Sequence, residues 1–352
     1  MPTYISPRNL PNRKPDFDNL LKVLRCEKPN RPTLFERGVN SSLMNELTSD
    51  ISYKGDPESK ITQRKRRIDA FALLGYDYAM LMGTDFSFPS NDTHQGDNKT
   101  YSLNETAWIK NWGDFENYPW PNPDDIDPAP AMEEYRKKLP DNMKIMACGP
   151  GVLENAIALM GYEALCEKIY DEPELVAKVF DYINDRIFHY YKALLPFEAV
   201  GGLVLHDDWA FKTQTLLSPK HLRRFVFPGV KVIAELAHGY GKPVILHSCG
   251  NLDIVMDDLI NDMKIDGRHS YEDTICPVED FYEKWHGKIS IIGGIDMDFL
   301  STKTPDEVYK RSLAMLDRAS ERGGFALGSG NSITNYIPQE NYLAMISAAL
   351  LN

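Results

Sequence analysis

No stretch of this chain approaches the roughly 20 consecutive apolar residues that cross a bilayer. A membrane-spanning helix is therefore not expected. The opening residues, MPTYISPRNLPNRKPDF, are basic but lack an apolar core, so they do not read as a secretory signal. Cysteine is scarce: Cys26, Cys148, Cys166, Cys249 and Cys276 are odd in number and without pattern. That usage excludes a disulfide framework and fits a reducing cytoplasm. The Asn-x-Ser/Thr sequences at Asn40, Asn91, Asn98 and Asn104 accordingly carry no expectation of glycosylation. Positive charge is also in short supply. There are 39 Lys and Arg against 51 Asp and Glu, a net charge of −12. Nucleic acid and anionic membrane are poor partners for such a surface, because both are polyanions. Finally, no G-x-G-x-x-G follows an apolar run, which argues against a dinucleotide-binding fold.

What is present is enough apolar material for a large core: 43% of 352 residues are hydrophobic and 26% charged. Short apolar runs that end in polar residues read as buried parallel strands at 32–36, 77–83, 144–148, 201–206, 243–247, 264–269, 288–294 and 325–328. Amphipathic stretches with helix-start signals separate them. Asp171-Glu172-Pro173 opens one, Ser218-Pro219 opens a helix expected to reach 239, and Thr304-Pro305-Asp306-Glu307 has the pattern of a capping box with Pro at the first helical position. Gly241 and Gly323 stand where a left-handed residue ends a helix. Strict strand–helix alternation implies a parallel sheet with right-handed crossovers. Eight strands predict a closed (β/α)8 TIM barrel, a single domain over 1–352. Residues 87–128 do not fit the repeat and read as an insertion after the second strand, placed to act as a lid. Its Trp108, Trp112 and Trp120 either wall a pocket or pack the insertion against the barrel.

In a barrel the C-terminal ends of the strands carry the site. Five successive segments end there in polar or glycine-rich clusters: His206-Asp207-Asp208-Trp209, His247-Ser248-Cys249-Gly250, His269-Ser270-Tyr271-Glu272-Asp273, Gly293-Gly294-Ile295-Asp296 and Gly328-Ser329-Gly330-Asn331. His247 and Cys249, two apart on an extended chain, project to one side. An imidazole and a thiolate there suit a tetrahedral, borderline-soft ion such as zinc, and Glu272 can add a carboxylate. Asp207, Asp208 and Cys276 are reserve ligands. The alternative is a strand-end histidine beside an inert buried cysteine. Asp207 and Asp208 either handle protons and orient substrate or bind backbone amides. His206 alternates with Asp207 and is expected to be structural. Gly293-Gly294 implies a tight turn or close approach. His221, Arg223, Arg224 and Lys231 read as a solvated helix face. Asp92-Thr93-His94-Gln95-Gly96 is one spacer short of a corrinoid-binding D-x-H-x-x-G loop, so any corrinoid belongs on a partner.

LHDDWAFKTQTLLSPKHLRRFVFPGVK, PVILHSCGNLDIVMDDL, IIGGIDMDFLSTKTPDEV and GGFALGSGNSITNYIPQENYLAM together resemble the uroporphyrinogen decarboxylase superfamily, from about residue 17 to the C-terminus. The resemblance implies a (β/α)8 barrel and one of two chemistries. One is cofactor-free decarboxylation of porphyrinogen acetates. The other is methyl transfer by zinc enzymes that exchange methyl groups with corrinoid proteins. Of the decarboxylase residues, the arginine of the M-R-Q-A-G-R loop is matched by Arg37, and the aspartate after the second strand by Asp85, displaced one position. Their tyrosine falls near Ala156 and their last-strand histidine at Ser329. The methyltransferase H-x-C is matched by His247 and Cys249. That branch's further cysteine is again Ser329. Glu272, 23 residues after Cys249, fits the glutamate ligand of the related cobalamin-independent methionine synthase.

The resemblance therefore points to the methyltransferase branch. Zinc would be held by His247, Cys249 and Glu272. Asp207, Asp208, Arg37 and Asp85 would be the catalytic residues, and Trp209, Ser329 and Asn331 would contact substrate. The partners expected are a small methyl donor or acceptor, a corrinoid protein and a second copy of the chain. The competing functions are a decarboxylase, using Arg37 for a carboxylate and Asp85 for protons, and a non-catalytic binder of tetrapyrrole or folate.

Overall fold

The computed structural model describes residues 4–7, 9–89 and 107–351. Seven strands, β1 (Tyr78–Met82), β2 (Lys144–Gly149), β3 (Val200–His206), β4 (Val244–His247), β5 (Gly267–His269), β6 (Ser290–Ile292) and β7 (Phe325–Ala326), form one parallel sheet in sequence order. A parallel sheet needs a crossover between each pair of strands, and helices supply them. The strands are almost wholly buried and read as continuous apolar runs, as expected when both faces are covered. No helix of the described residues is long and apolar enough to cross a membrane.

The segment 32–36, expected as a first full strand, contributes less than that. Leu34 makes a single parallel bridge to Leu327, with Phe35 N donating to Leu327 O at 2.8 Å and Leu327 N to Thr33 O at 2.8 Å. On its other side no ladder joins it to β1 among the described residues. The reason is visible at Glu36. The Tyr78 hydroxyl accepts from the Glu36 amide and donates to the Glu36 carbonyl, both at 2.6 Å. One side chain thus takes the two backbone groups that a neighbouring strand would have used. The sheet is curled, and this segment lies across its opening.

Helix boundaries follow the local chemistry. Thr304 caps Pro305–Ala319 through a reciprocal box with Glu307, and Pro173 starts Pro173–Leu194. Gly241 and Gly323 have φ of 69° and 68°. The helix expected over 218–239 is two, Pro219–Phe225 and Phe227–Gly239. Pro228 lacks the amide that would continue the first helix and sits in the opening turn of the second. In the described part of 87–128, Trp108, Trp112 and Trp120 pack with Phe115, Tyr118 and Tyr182, so they anchor this stretch to the helix Pro173–Leu194. Residues 92–96, with the D-T-H-Q-G sequence, lie outside the described residues.

Candidate metal and substrate site

Register places three histidines side by side. His206 on β3 pairs with His247 on β4, which pairs with His269 on β5. Their rings follow in a row, with centroids 5.4 and 4.9 Å apart. Hydrogen bonds then fix the protons. His269 Nε2 lies 3.2 Å from the Ser329 carbonyl, which can only accept, so this nitrogen carries hydrogen. Burial holds the His269 pKa down at about 3, so the ring is neutral and its Nδ1 accepts. His247 Nδ1, 2.6 Å away, is the donor. His247 is also neutral, lowered by burial and then by its charged and histidine neighbours. Its Nε2 therefore presents a lone pair, which Arg37 Nη1 meets at 2.8 Å.

Around that lone pair lie other donor atoms. Cys249 Sγ is 3.9 Å from His247 Nε2, and Asp208 Oδ1 accepts from the Cys249 amide at 2.8 Å. One atom each from Asp208, His247 and Cys249 lie within 4.8 Å of one another. Asn331 bridges the group, with Oδ1 accepting from Arg37 at 3.2 Å and Nδ2 set 3.5 Å from Cys249 Sγ. Burial, and next the charge of Asp208, push the Cys249 thiol up to about 12.

Arg37, Asp208, His247, Cys249 and Asn331 thus converge. Other candidates do not. Glu272 ion-pairs with Lys212 at 3.0 Å and stands apart from the Asp208–His247–Cys249 group, because the chain has already left β5 and turned. Asp85 is 53% exposed and ion-paired with Arg64 and Lys60 at 2.6 and 3.3 Å, an outward surface cluster. Asp207 is buried and accepts from the Leu153 and Glu154 amides at 3.0 and 2.9 Å and from Trp209 Nε1 at 2.7 Å. It caps the helix Val152–Met160, whose own N-cap, Gly151, has no side chain for the task. Trp209 is fully buried against Phe227 and has no surface left for a substrate. The Ser329 hydroxyl is committed to Glu36 at 2.8 Å, not to the Asp208–His247–Cys249 group. Cys276 Sγ faces the Pro277 carbonyl. Gly293 has φ of 75°, and a Cβ there would meet the Ser329 oxygen at 2.4 Å and His269 Nε2 at 3.0 Å. The close approach expected at this glycine is made by the protein itself.

His206, expected to be structural, lines an open cavity of about 590 Å³ together with Arg37 and Arg67. Two carboxyls escaped the sequence reading. Glu36 lies fully buried beneath Ser329, and burial raises it to about 8. Glu154 lies exposed at the same rim, beside the Asp207 and Asp208 carboxylates. Its place in GPGVLENA, directly after β2, was a signal for the same rim. The basic helix residues are as bland as expected, Arg223 and Lys231 pairing with Asp258 and Asp262.

Residues 78–350 match the uroporphyrinogen decarboxylase (URO-D) family. No curated protein matches the chain. Among solved structures, a methyltransferase from Methanosarcina mazei superposes with a TM-score of 0.70 over 94% of this chain and 97% of that one, at 16% identity. A DUF72 family protein from Enterococcus faecalis covers 66% of this chain and 86% of its own at 10% identity, with a TM-score of 0.31, too low to indicate a shared fold.

Proposed function

This chain belongs to the uroporphyrinogen decarboxylase family, and we propose that within it the protein is a zinc-dependent methyltransferase component. It moves a methyl group between a small substrate and a corrinoid carried by a separate protein. The observation that carries the reading is the convergence of His247, Cys249 and Asp208 within 4.8 Å. A neutral imidazole with its lone pair turned inward, a thiol and a carboxylate form a mixed nitrogen, sulfur and oxygen set that suits zinc and leaves a position open. Bound there, zinc would supply Lewis acidity toward a thiol or heteroatom nucleophile. The protein's own contribution is orientation. Ser329 and His269 lock the His247 tautomer, and outer-shell partners of this kind commonly govern metal affinity. Arg37 donates to the His247 Nε2 lone pair at 2.8 Å and would have to release it to zinc, while Asn331, beside Cys249 Sγ, lines the approach. The fold shared with a methyltransferase from Methanosarcina mazei supports this choice. Decarboxylation is disfavoured because Asp85, its proton-handling group, is held outward by Arg64 and Lys60. The opening of the curled sheet, crossed by the segment 33–36, is read as the closing stave of an eight-stranded barrel.

Metal content is the test. Untagged protein is expected to hold one zinc per chain, by elemental analysis. In competition with a chromophoric chelator, Cys249→Ala and Asp208→Asn should each lose at least about tenfold in affinity, as removal of one of three ligands implies. Glu272→Gln and Ser329→Cys should leave affinity unchanged. The zinc-loaded protein should then demethylate methylcobalamin in the presence of a thiol, read from the visible spectrum. A protein that takes up no zinc, or that loses it through Glu272→Gln as fully as through Cys249→Ala, would rule the site out.

A further inference from the structure

β5 is buried on both faces, and a parallel strand so placed is expected to carry apolar side chains on its outer face. Arg268 breaks that pattern. Its register partner is Leu246, one residue before His247, and alternation turns it away from the three histidines, toward the outer helices. There it is only 5% exposed and lies between two rings. Its Cζ is 5.0 Å from the Tyr271 ring centroid and 4.8 Å from that of Phe281, on the helix Val278–Trp285. No carboxylate pairs with it among the described residues, and its Nε is buried without a hydrogen-bond partner. An apolar residue in place of a buried charge is commonly neutral or stabilising, so stability alone does not account for a guanidinium here. What the guanidinium does is donate from Nη2 to the Gly250 carbonyl at 3.1 Å, one residue past Cys249.

The turn that Arg268 reaches is already confined on its other side. Gly250 has φ of 84°, a left-handed conformation that suits glycine. A Cβ there would stand 2.2 Å from the Ala210 carbonyl oxygen and 2.7 Å from that of Phe211, so the turn is pressed against this backbone. The Asn251 amide donates to the Phe211 carbonyl at 2.8 Å, and the Cys249 amide to Asp208 Oδ1 at 2.8 Å. Asp208 and Phe211 thus hold the turn from the β3 side, and Arg268 holds it from β5. We infer that Arg268 is a positioning residue for the sulfur donor: it fixes the peptide that follows Cys249 and so keeps Sγ beside His247 Nε2. The two rings immobilise the planar guanidinium, which makes it a rigid prop where a lysine would be a mobile one. This deepens the methyl-transfer reading and rests on it for the metal that the thiol would bind. The hold on the turn itself does not depend on it.

Hydrogen–deuterium exchange, read by mass spectrometry, tests the hold in chelator-treated protein, and cobalt(II) tests its consequence. In Arg268→Met the peptide spanning 248–252 should exchange about tenfold faster or more, as loss of a bond from a charged donor implies, while β1 to β3 stay as protected as in wild type. Sulfur ligation gives cobalt a near-ultraviolet charge-transfer band, which Cys249→Ala should abolish. Arg268→Met should lose about half of that band or more per bound cobalt and bind cobalt about tenfold more weakly. Arg268→Lys keeps the charge and a donor, and should lie nearer to wild type in both measurements. Near-ultraviolet circular dichroism checks folding; if Arg268→Met does not fold, Arg268→Lys carries the comparison with smaller changes of the same direction. Exchange at 248–252 that matches wild type, exchange that rises alike in every strand, or an undiminished band would make Arg268 a packing residue and overturn the inference. If wild type takes up no cobalt, or its band survives Cys249→Ala, while the turn still loosens in Arg268→Met, the methyl-transfer reading falls and the hold on Cys249 stands.

Discussion

Glu36 is a carboxyl buried among neutral donors: the Ser329 hydroxyl at 2.8 Å, the Ser329 amide at 3.2 Å and the Arg37 amide at 3.2 Å. Desolvation outweighs them, so the group ionises only near pH 8 in the folded chain instead of near 4.5. Across that window the native state keeps a proton that the unfolded chain has released. Stability attributable to Glu36 must therefore fall as pH rises, by at most about 1.4 kcal/mol per unit. A glutamine of the same shape has no such penalty. Urea denaturation at about pH 5.5 and about pH 8 should show Glu36→Gln gaining on wild type at the higher pH. A stability difference between the two proteins that does not change with pH would mean that Glu36 ionises normally in place.

At the level of elements, the most telling contact is a carboxylate from one strand end serving a helix that cannot serve itself. Asp207 reaches across from β3 to the first amides of Val152–Met160, where Gly151 has nothing to offer, and negative charge at a helix N-terminus is favourable. Removing it leaves the buried Leu153 amide, the half-buried Glu154 amide and the Trp209 indole without an acceptor. Asp207→Ala should cost about 2–3 kcal/mol by denaturation, more than the ~1 kcal/mol expected of Thr304→Ala at an exposed cap. Asp207→Asn, which keeps an acceptor oxygen, should retain zinc binding and turnover. Loss of turnover in Asp207→Asn with stability intact would instead make this residue a proton carrier. Alternation explains why the sequence left Asp207 and Asp208 undecided. Two-residue periodicity puts His206 and Asp208 on one side and Asp207 on the other, but only the pairing of His206 with His247 says which side faces the site. The same parity joined His247 to Cys249 correctly without any structure. Glu272 defeated it, because past β5 the chain turns and alternation no longer applies.

On the scale of the molecule, the strand–helix alternation and most element limits could be read from composition and caps. The way the first segment meets the sheet could not: eight strands were expected, and 33–36 instead makes one bridge to Leu327 and is held by the Tyr78 hydroxyl. Leu34 bridges Leu327, Glu36 holds Ser329 and Tyr76 meets Tyr342 hydroxyl to hydroxyl at 2.9 Å. This junction also delivers Arg37 to His247, so the integrity of the whole and the placement of the site share one seam. Gly328 lies on it. A Cβ at that position would stand 1.7 Å from the Phe35 carbonyl oxygen, a backbone atom that cannot rotate away. Gly328→Ala should therefore push the segment 33–36 off β7 and cost at least about 1–3 kcal/mol, the range for forced overpacking. Gly239 gives the matching control. It ends the helix Phe227–Gly239, and a Cβ there meets nothing within 4 Å. Gly239→Ala should be neutral or stabilising by up to about 1 kcal/mol, since alanine loses less backbone entropy in a helix. If both proteins unfold at the wild-type urea concentration, the contact between segment 33–36 and the last strand does not contribute to stability.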